Sequence, residues 1–456
     1  MNRVIIDLLQ RRCFELVKKR TYLALLVALC VGPQFSTAQL VQQAVGGITV
    51  DADGVLSMNS VEDKQRLNGE LRRLAKDAAP VDLQQWTDLR AVSLKQIEAK
   101  LAECLTSGQP VPEEMRYLAG LQRVQFVLVY PEQGDVVLAG PAEGWRMDAL
   151  GTAVGLTSSR PVLLLDDLMV ALRTRDTTQL EPISCSIDPT PEGIRRLRAL
   201  TNRQRNIGNA QQTLLRMEEA LGRQVVSVTG VPSTSHFART MVAADFRMKR
   251  LAMGFDQAPI DGMPSFLKLL RNGRGNPNMT PRWWLAPNYL PLARGADRLA
   301  WELRGQGVKC MTEEDHLDGD GRQAGSSKAG AAAARWAKTF TERFNDLADQ
   351  DSAFGKLRNA MDLAVVAALI DQERMLDAVG LDLPQLLHEQ ELVRYFAPQH
   401  VSSRATFVKR RGDYLISTSG GVQLLPWEVV TQSEPSTELG AVRNQLSSES
   451  AKWYRQ

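Results

Sequence analysis

Apolar residues in the first quarter of the chain recur at the spacing of one helix face. Leucine and isoleucine positions, including Leu94, Ile97 and Leu101, follow this period and predict a helical segment over residues 60–106. The opposite face of this segment is densely charged, so we expect it to cover another element or to pair with a partner. Before it, alternating apolar residues around the turn at 51–54 predict a β-hairpin.

From Val124 the apolar period changes to that of β-strands. VQFVLVY and DVVLAG flank a turn at 131–134 and predict a hairpin. Three strand–helix units follow, because a strand-like apolar run precedes a helical period three times. Their strands are predicted at 162–165, 183–187 and 225–230. This alternation predicts a mixed sheet with helices packed on it.

Residue types at the starts of these three helices agree with the periodicity. Asp166 or Asp167 stands at the start of the first, where a negative charge suits the helix dipole. Thr190 precedes Pro191 and is the expected N-cap of the second, because a cap hydroxyl followed by proline is typical of a helix start. Ser235 is the expected N-cap of the third.

The last third of the chain is predicted to be helical and then to form hairpins. Residues 329–378 predict one long helix or two, with Gly355 as the expected break. Residues 299–303 and 308–311 predict one hairpin, and the runs around Gly412 predict another. Together the patterns predict an α+β fold, with a mixed central sheet, flanking helices, an N-terminal helical segment, and a long C-terminal helix followed by a hairpin.

The first forty residues have the pattern of an export signal. Five basic residues at 11–20 precede the uncharged run TYLALLVALCV at 21–31, and a small-x-small step ends at Ala38. This order predicts a secretory signal peptide cleaved between Ala38 and Gln39. The apolar run is too short to span a bilayer, which takes about 20 residues. We therefore expect a periplasmic or extracellular protein; a chain tethered by an uncleaved signal segment is the alternative.

The changes of pattern divide the chain into six predicted segments. They are a signal peptide at 1–38, a hairpin plus helical segment at 39–115, a central α/β domain at 116–312, a flexible loop at 313–330, a helical region with a hairpin at 331–430, and a polar tail at 431–456.

The charge of the chain argues against two classes of partner. The formal net charge is +3, but the predicted leader contains six Lys or Arg and two acidic residues, which leaves 49 basic and 50 acidic residues after Ala38. A nearly neutral body without a basic stripe has no electrostatic footprint for nucleic acid or anionic lipid. No other apolar run approaches the length of a membrane span, so no transmembrane segment is expected in the mature chain.

Three cysteines, Cys104, Cys185 and Cys310, follow the leader and allow one disulfide at most. Buried thiols are the favoured interpretation, because free cysteine is among the residue types most often buried. A bridge between Cys185 and Cys310 is the alternative that an oxidising compartment permits.

Catalytic and metal-binding motifs are weak throughout the chain. The four histidines have no second histidine at helical spacing, so neither a metal site nor a cofactor is predicted. Ser235 and His236 are adjacent, and neighbours on a helix point about 100° apart, so the serine is interpreted as a cap rather than as a nucleophile. A triad completed by a distant aspartate stays open.

Two groups of residues are candidate binding positions. Asp245 and Lys249 are four apart on a predicted helix and form either a solvated ion pair or part of a polar site at the sheet edge. The second group lies in a proline-rich region predicted to be a loop, where aromatic rings form either an exposed platform for sugars or peptides or a plug onto the core. Its members are Arg282, Trp283, Trp284 and Tyr289.

Four longer stretches resemble an uncharacterised domain family of exported planctomycete proteins. They are YPEQGDVVLAGPAEGW (130–145), ISCSIDPTPEGI (183–194), VPSTSHFARTMVAADFRMKRLAMG (231–254) and PRWWLAP (281–287). The resemblance covers about residues 120–310. It implies export and transfers no active-site residue, because the family has no known function.

These observations favour a binding or structural component of the cell envelope, with an envelope protein or a polysaccharide as its partner. The alternative is a secreted hydrolase whose site is assembled from distant loops. A cleft that joins Asp245, Arg247 or Lys249 to other polar groups with perturbed ionisation would favour the hydrolase.

Overall fold

The structure, a computed structural model, describes most of the chain between Val45 and Arg455. The described residues are 45, 47–58, 79–148, 151–203, 209–272, 281–312, 330–387, 393–404, 406–409, 413–416, 418–446 and 453–455. The predicted signal peptide with its cleavage site at Ala38 and Gln39 lies outside them. So do the predicted helical leucines before residue 79 and all but the last residue of the predicted loop at 313–330.

Nineteen strands and fourteen α-helices form within the described residues. The strands are β1 (Ile48–Val50), β2 (Val55–Met58), β3 (Thr87–Ser93), β4 (Phe126–Tyr130), β5 (Asp135–Ala142), β6 (Trp145–Met147), β7 (Ala153–Gly155), β8 (Ile183–Pro189), β9 (Arg223–Thr229), β10 (Arg282–Asn288), β11 (Leu292–Arg294), β12 (Ala300–Glu302), β13 (Gly307–Thr312), β14 (His400–Ser402), β15 (Thr406–Lys409), β16 (Asp413–Ile416), β17 (Ser419–Leu424), β18 (Ser433–Pro435) and β19 (Tyr454–Arg455). The helices are α1 (Leu94–Ser107), α2 (Glu113–Arg116), α3 (Leu165–Leu180), α4 (Pro191–Arg203), α5 (Ala210–Leu221), α6 (His236–Ala252), α7 (Phe266–Asn272), α8 (Ala331–Glu342), α9 (Phe344–Gln350), α10 (Ser352–Gln372), α11 (Met375–Val379), α12 (Pro384–Leu387), α13 (Pro426–Val430) and α14 (Leu439–Gln445).

The strands assemble into two large mixed sheets, which confirms the predicted α+β class. The first has the order β1-β2-β14-β9-β8-β17-β10-β13, and the second has the order β18-β11-β12-β4-β5-β3-β19. Most neighbours are antiparallel, but β10 runs parallel to β17 and β11 runs parallel to β18. The predicted polar tail at 431–456 supplies β18 and β19, which lie at the two ends of the second sheet's strand order.

Helix α10 lies in the middle of the core. Its residues from Ala353 to Ile370 are all buried, which agrees with a sequence that is apolar on nearly every face. It contacts α3, α6, α9, α13 and strand β13, so it connects the helical layer to the first sheet. The predicted long C-terminal helix is therefore confirmed.

The expected helix break at Gly355 is wrong. Asp351 ends α9 and caps α10, because its side chain accepts a hydrogen bond from the amide of Ala353 at 3.1 Å. Gly355 lies inside α10, where a β-carbon would approach Pro161 Cδ to 2.8 Å. The glycine therefore serves close packing against the segment that precedes α3.

Short-range hairpins were predicted well. The pairs β1–β2, β4–β5 and β15–β16 are antiparallel, as expected from the sequence. The hairpin expected for residues 299–311 is wrong. Strand β12 pairs with β4 and β11 of the second sheet, whereas β13 pairs with β10 of the first. Both runs are strands, but they belong to different sheets and do not pair with each other.

Two further element assignments are corrected. Residues 87–93, predicted to be helical, form β3, which pairs with β5 and β19 and buries Arg90, Ala91, Val92 and Ser93. Residues 162–165 form no strand; the amide of Leu163 bonds to the carbonyl of Leu121, and α3 already begins at Leu165. In both cases tertiary partners decide the backbone conformation of a short apolar run.

Candidate functional site

The candidate site is formed where the first turns of α3 and α6 meet the first half of α10. Ser235 caps α6, as predicted, because its hydroxyl accepts a hydrogen bond from the amide of Ala238 at 3.1 Å. The same hydroxyl donates to the carbonyl of Pro232 at 2.7 Å. With both hydrogen-bonding roles used locally, Ser235 fixes the start of α6 and places His236 in its first turn.

His236 pairs with a carboxylate that lies far away in the sequence. Its Nδ1 atom is 2.9 Å from Oδ2 of Asp167 and 3.0 Å from Oδ1. Both side chains retain only 6% of their exposed surface. The hydroxyl of Thr240, one helical turn later, lies 3.4 Å from the same nitrogen. A carboxylate on Nδ1 fixes the ring and favours the tautomer whose Nε2 can accept a proton.

Asp166 places a second carboxylate beside this pair. Burial raises the pKa of Asp166, and the adjacent charge of Asp167 raises it further, whereas His236 has the opposite effect. Both aspartates lie in the first turn of α3, where the helix dipole stabilises negative charge, as the sequence predicted. The partly exposed Asp166 and the buried Asp167 therefore form a carboxylate pair with unequal access to solvent.

Lys356 brings a positive charge into the same region from α10. Its side chain is 7% exposed, and burial lowers the pKa of Lys356 to about 8, against the opposite effect of the carboxylates of Asp148 and Asp167. Within the described part of the chain, the Lys356 ammonium has neither a hydrogen-bond partner nor an ion pair within 4 Å. A lysine that is largely buried while its ammonium makes no direct hydrogen bond or ion pair is unusual for a purely structural position.

Close packing of α10 explains how Lys356 reaches this place. Gly355 permits contact with Pro161, and the amide of Asn359 donates to the carbonyl of Pro161 at 2.9 Å. Pro161 lies four residues before α3, so these contacts hold the second turn of α10 beside the start of α3.

Two tyrosines complete the surroundings. The ring of Tyr395 lies 6.0 Å from that of His236, and the guanidinium of Arg239 lies over Tyr395 at 5.0 Å. Burial, together with Asp166 and Asp167, raises the pKa of Tyr395 well above its usual value. Burial likewise raises the pKa of Tyr117 to about 12, with Glu113 contributing in the same direction. Both phenols therefore stay neutral and can donate hydrogen bonds at neutral pH.

We call Asp166, Asp167, His236, Lys356 and Tyr395 the Asp167 cluster. It contains four kinds of titratable group, and three of its members have clearly shifted pKa values. Such concentrations of perturbed groups occur preferentially at functional sites. Chemically, the cluster can accept and donate hydrogen bonds and can transfer a proton through His236.

The predicted pair Asp245–Lys249 exists but is not solvated. Asp245 is fully buried and Lys249 is 8% exposed, and their side chains lie 2.8 Å apart. Lys249 also donates to the carbonyl oxygens of Ile187 at 2.9 Å and Gly420 at 3.1 Å. All three ammonium protons are thereby used, so the pair fastens α6 to the neighbouring strands β8 and β17.

Burial also perturbs the ionisation of this pair. It raises the pKa of Asp245 to about 6, although Lys249 acts in the opposite direction. The nearby thiol of Cys185 has its pKa raised well above the usual value, first by burial and then by Asp245. A thiol of this kind stays protonated and is a poor nucleophile. Cys104, Cys185 and Cys310 are all buried and none of them forms a disulfide, which confirms the interpretation as buried thiols.

The expected aromatic loop is strand β10, and its two tryptophans lie in different surroundings. Trp283 is fully buried, with its ring 4.7 Å from Trp336 and 5.1 Å from Phe266, so this residue follows the alternative of a plug onto the core. Trp284 is partly exposed and lies under the guanidinium of Arg282 at 4.9 Å. Alternation along a strand explains the difference, since neighbouring side chains point to opposite faces.

Tyr289 belongs to another part of the molecule. Its hydroxyl donates to Oδ1 of Asp362 at 2.7 Å, and the same carboxylate accepts two bonds from Arg123. Trp283 and Lys249 are brought close, because Trp283 pairs with Gly420, whose carbonyl accepts from Lys249. The predicted site residues therefore do not form one site.

Sequence reasoning missed the members of the Asp167 cluster as a site. Asp167 was recognised only as a charge at a helix start, and His236 only as the neighbour of a cap. The sole signal for Lys356 was a Gly-Lys step near the start of a helical run that also contains Arg358, Asn359 and Asp362. No periodicity could have joined them, because the pair Asp167–His236 spans 69 residues.

Comparison with known families identifies one segment of the chain. Residues 185–266 contain a domain described as "Protein of unknown function (DUF1598)". This segment runs from β8 to the start of α7, so it includes His236 and the pair Asp245–Lys249 but neither Asp167 nor Lys356. No curated protein and no solved structure matches the chain.

Two absences are found among the described residues, one of a membrane-spanning helix and one of a metal-binding group. None of the helices there has the length and apolar character needed to cross a membrane. Across the same residues, no group of three or more His, Cys, Asp or Glu side chains is placed to hold a metal ion.

Proposed function

We propose that the protein is exported and acts as a binding component of the cell envelope, with the Asp167 cluster as its ligand site. The observation that carries this proposal is the side chain of Lys356, which is largely buried and whose solvent-reached ammonium has no direct partner in the described part of the chain. A bound oxygen acceptor would form a charge-assisted hydrogen bond with that ammonium. The ammonium of Lys249, by contrast, already uses all three of its protons in hydrogen bonds.

The chemistry of the cluster favours a hydroxyl-rich ligand, which among envelope molecules means a polysaccharide. Asp166 and Asp167 supply acceptors for sugar hydroxyls, and Lys356 supplies a donor. The rings of Tyr395 and Tyr117 add apolar faces with neutral phenol groups. Sites for small polar ligands commonly combine apolar walls with a few placed polar groups.

Binding to purified envelope polysaccharide tests this function. We expect the mature protein to co-sediment with the polysaccharide, and Lys356→Met to lose that binding while remaining folded. Lys338→Met is the matched control, because Lys338 lies on α8 with 76% of its side chain exposed. Equal binding by both variants would rule out the Asp167 cluster as the site. Capture of an envelope protein instead of polysaccharide would replace the proposed ligand class.

Export is tested separately from ligand binding. We expect fractionation to place the protein outside the cytoplasm, with a mature N-terminus at Gln39. Recovery in the cytoplasm with Met1 retained would contradict export. An extracytoplasmic protein that keeps its leader would favour the tethered alternative.

A second candidate function is hydrolysis, which the contact between Asp167 and His236 specifically favours. A buried carboxylate on Nδ1 is the arrangement that makes an imidazole an effective general base for a hydroxyl or for water. We expect such an activity to fall by about 10²-fold or more in His236→Gln, the usual range for removal of an acid–base catalyst. Unchanged hydrolysis of an ester or glycoside panel by this variant would exclude the function.

A further inference from the structure

Three cationic side chains gather at a place that neither the Asp167 cluster nor the pair Asp245–Lys249 involves. They meet near Gly307, at the start of β13. A β-carbon at Gly307 would lie 3.0 Å from Cγ of Arg358, 3.6 Å from Nη2 of Arg123 and 3.6 Å from the hydroxyl of Tyr289. Gly307 has φ +90°, which favours glycine, so its backbone leaves room for these groups. Arg160 joins them through a shared carboxylate.

Asp362 forms hydrogen bonds with Arg123 but with neither Arg160 nor Arg358. Its two oxygens accept from Nε of Arg123 at 2.8 Å and from Nη2 at 2.9 Å, and Oδ1 also accepts from Tyr289. The remaining Nη1 of Arg123 donates to the carbonyl of Gly305 at 3.0 Å. Arg123 is thus a fully bonded bidentate partner of Asp362.

Asp349 is shared between the other two arginines. It lies 2.8 Å from Nη2 of Arg160 but 3.5 Å from Nη2 of Arg358, so the second contact is long for a hydrogen bond. Three guanidinium groups therefore face two carboxylates, and one positive charge is not balanced within the group.

The positive charge that is not balanced lies mainly on Arg358. Its side chain is 5% exposed, and its Nε atom is buried without a hydrogen-bond partner. Burial and the neighbouring charge of Arg123 lower the pKa of Arg358 to about 10, so the group still carries its charge at neutral pH. A buried guanidinium held by a single long contact is destabilising unless a further anion approaches it.

The group is open to solvent on the side of its outer members. The side chains of Arg160, Asp349 and Arg123 retain 38%, 25% and 22% of their exposed surface. Arg160 therefore offers an approaching anion a solvent-facing guanidinium next to the carboxylate that it shares with Arg358. The flat, forked guanidinium matches the oxygen atoms of phosphate or carboxylate, and a doubly charged anion suits adjacent arginines best.

We propose that Arg358 and Arg160, supported by Arg123, form a binding site for a phosphate group. The phosphate would accept hydrogen bonds from the two incompletely used guanidinium groups and balance the excess charge. The site is separate from the Asp167 cluster, so it does not depend on the proposed function. Free inorganic phosphate and a phosphate carried by an envelope polymer share this chemistry, and direct measurement separates the two sources.

Calorimetric titration of the mature chain with inorganic phosphate tests the proposal, with chloride at equal ionic strength as the reference. We expect saturable binding that Arg358→Met weakens by about tenfold or more, the effect of losing a hydrogen bond to a charged group. Arg160→Gln, on the partly exposed side, should weaken it in the same direction and keeps the test valid if Arg358→Met does not fold. Arg335→Met, at an exposed position of α8, should bind as the wild type does.

Thermal unfolding gives an independent readout. Without phosphate, Arg358→Met should unfold at a temperature equal to or above that of the wild type, because it removes an unbalanced buried charge. Phosphate should then stabilise the wild type but not this variant. Binding of a poly(glycerol phosphate) with an affinity at least tenfold above that of inorganic phosphate would identify the polymer as the source. Absence of saturable phosphate binding by the wild type would overturn the proposal. So would phosphate binding by Arg358→Met and Arg160→Gln that is as tight as that of the wild type.

Discussion

Oδ2 of Asp167 lies 2.9 Å from Nδ1 of His236, although 69 residues separate them in the chain. The two residues occupy the first turns of α3 and α6, so the contact joins the starts of two helices. Because the carboxylate holds Nδ1, the imidazole has a defined orientation. The pair is both a tertiary connection and the centre of the proposed site.

Replacing Asp167 by asparagine tests the first of these roles. Asp167→Asn keeps the shape of the side chain but removes its charge and leaves Nδ1 of His236 with a weaker acceptor. We expect the free energy of unfolding to fall by about 1–3 kcal/mol, the range for an impaired buried hydrogen bond. Urea unfolding measures this change. Asp377→Asn, an exposed first-turn position in α11, should change it by less than about 0.5 kcal/mol. Equal effects of both substitutions would contradict a special role for Asp167.

The local parts of this site could be predicted from the sequence, whereas the site itself could not. Serine is a preferred N-cap residue, so Ser235 predicts a helix start. A negative charge is favoured in the first turn of a helix, so Asp167 is consistent with one. Their combination depends on how α3, α6 and α10 pack, and that packing is set by Gly355, Pro161 and many apolar contacts. Lys356 was missed because one lysine in a predicted helix forms no motif that would indicate a site.

Glu143 should make the stability of the fold depend on acid pH. Burial alone raises the pKa of Glu143, but hydrogen bonds from the hydroxyls and amides of Ser158 and Thr157 outweigh it and lower the pKa to about 2. The amide of Gln122 also donates to this carboxylate at 2.8 Å. A folded-state pKa below the unfolded value stabilises the fold above pH 4.5, and this stabilisation is lost as the pH falls toward 2.

Comparing wild type and Glu143→Gln across that range measures this effect. The variant should be less stable at pH 7, since its side-chain amide cannot accept from all these donors. The difference in unfolding free energy should shrink steadily between pH 5 and pH 2.5, as the wild-type carboxyl takes up a proton. Glu181→Gln, at an exposed position, should change the unfolding free energy by less than about 0.5 kcal/mol. A constant gap for Glu143→Gln would mean that the carboxylate is not held in its charged form.

The two tryptophans of β10 should respond differently to truncation. Trp283→Ala removes a fully buried ring from contact with Trp336 and Phe266, so we expect a loss of about 3–5 kcal/mol in unfolding free energy. Trp284→Ala removes a partly exposed ring under Arg282 and should cost about 0.5–1 kcal/mol. Chemical denaturation of both variants separates the core plug from the binding platform. Similar losses at both positions would contradict the assignment of Trp283 to the core.

The same strand shows why the sheets could not be derived from the sequence. The prolines around residues 282–288 predict a loop, but this segment forms β10. The strand pairs in parallel with β17, so that Leu285 lies opposite Val422. Hairpins such as β4–β5 close over a few residues, and their turn residues predict them. The pairing of β12 with β4 spans more than a hundred residues and carries no local signal, which is why both strands of the expected hairpin at 299–311 were found but their assignment to different sheets was not.

Gly355 should be intolerant of even the smallest side chain. In most helix interiors, replacing glycine by alanine stabilises a protein by about 0.5–1 kcal/mol. At Gly355 the new β-carbon would lie 2.6 Å from the carbonyl oxygen of Ala348 and 2.8 Å from Pro161 Cδ, so backbone or ring must shift. We therefore expect Gly355→Ala to reverse the usual sign and to destabilise the fold by about 1–3 kcal/mol, the range for overpacking a core.

Gly440→Ala in α14 provides the matched control, since its added methyl group meets nothing within 4 Å. That variant should be neutral or more stable by up to about 1 kcal/mol. The effect of Gly355→Ala should also reach its neighbour. A shift of α10 away from Pro161 would open the surroundings of Lys356 and raise the pKa of its ammonium from about 8 toward the usual value. Acylation of Lys356, followed by mass spectrometry across a pH series, measures that pKa. Stabilisation by Gly355→Ala, or an unchanged Lys356 titration in a destabilised variant, would show that this contact does not position the lysine.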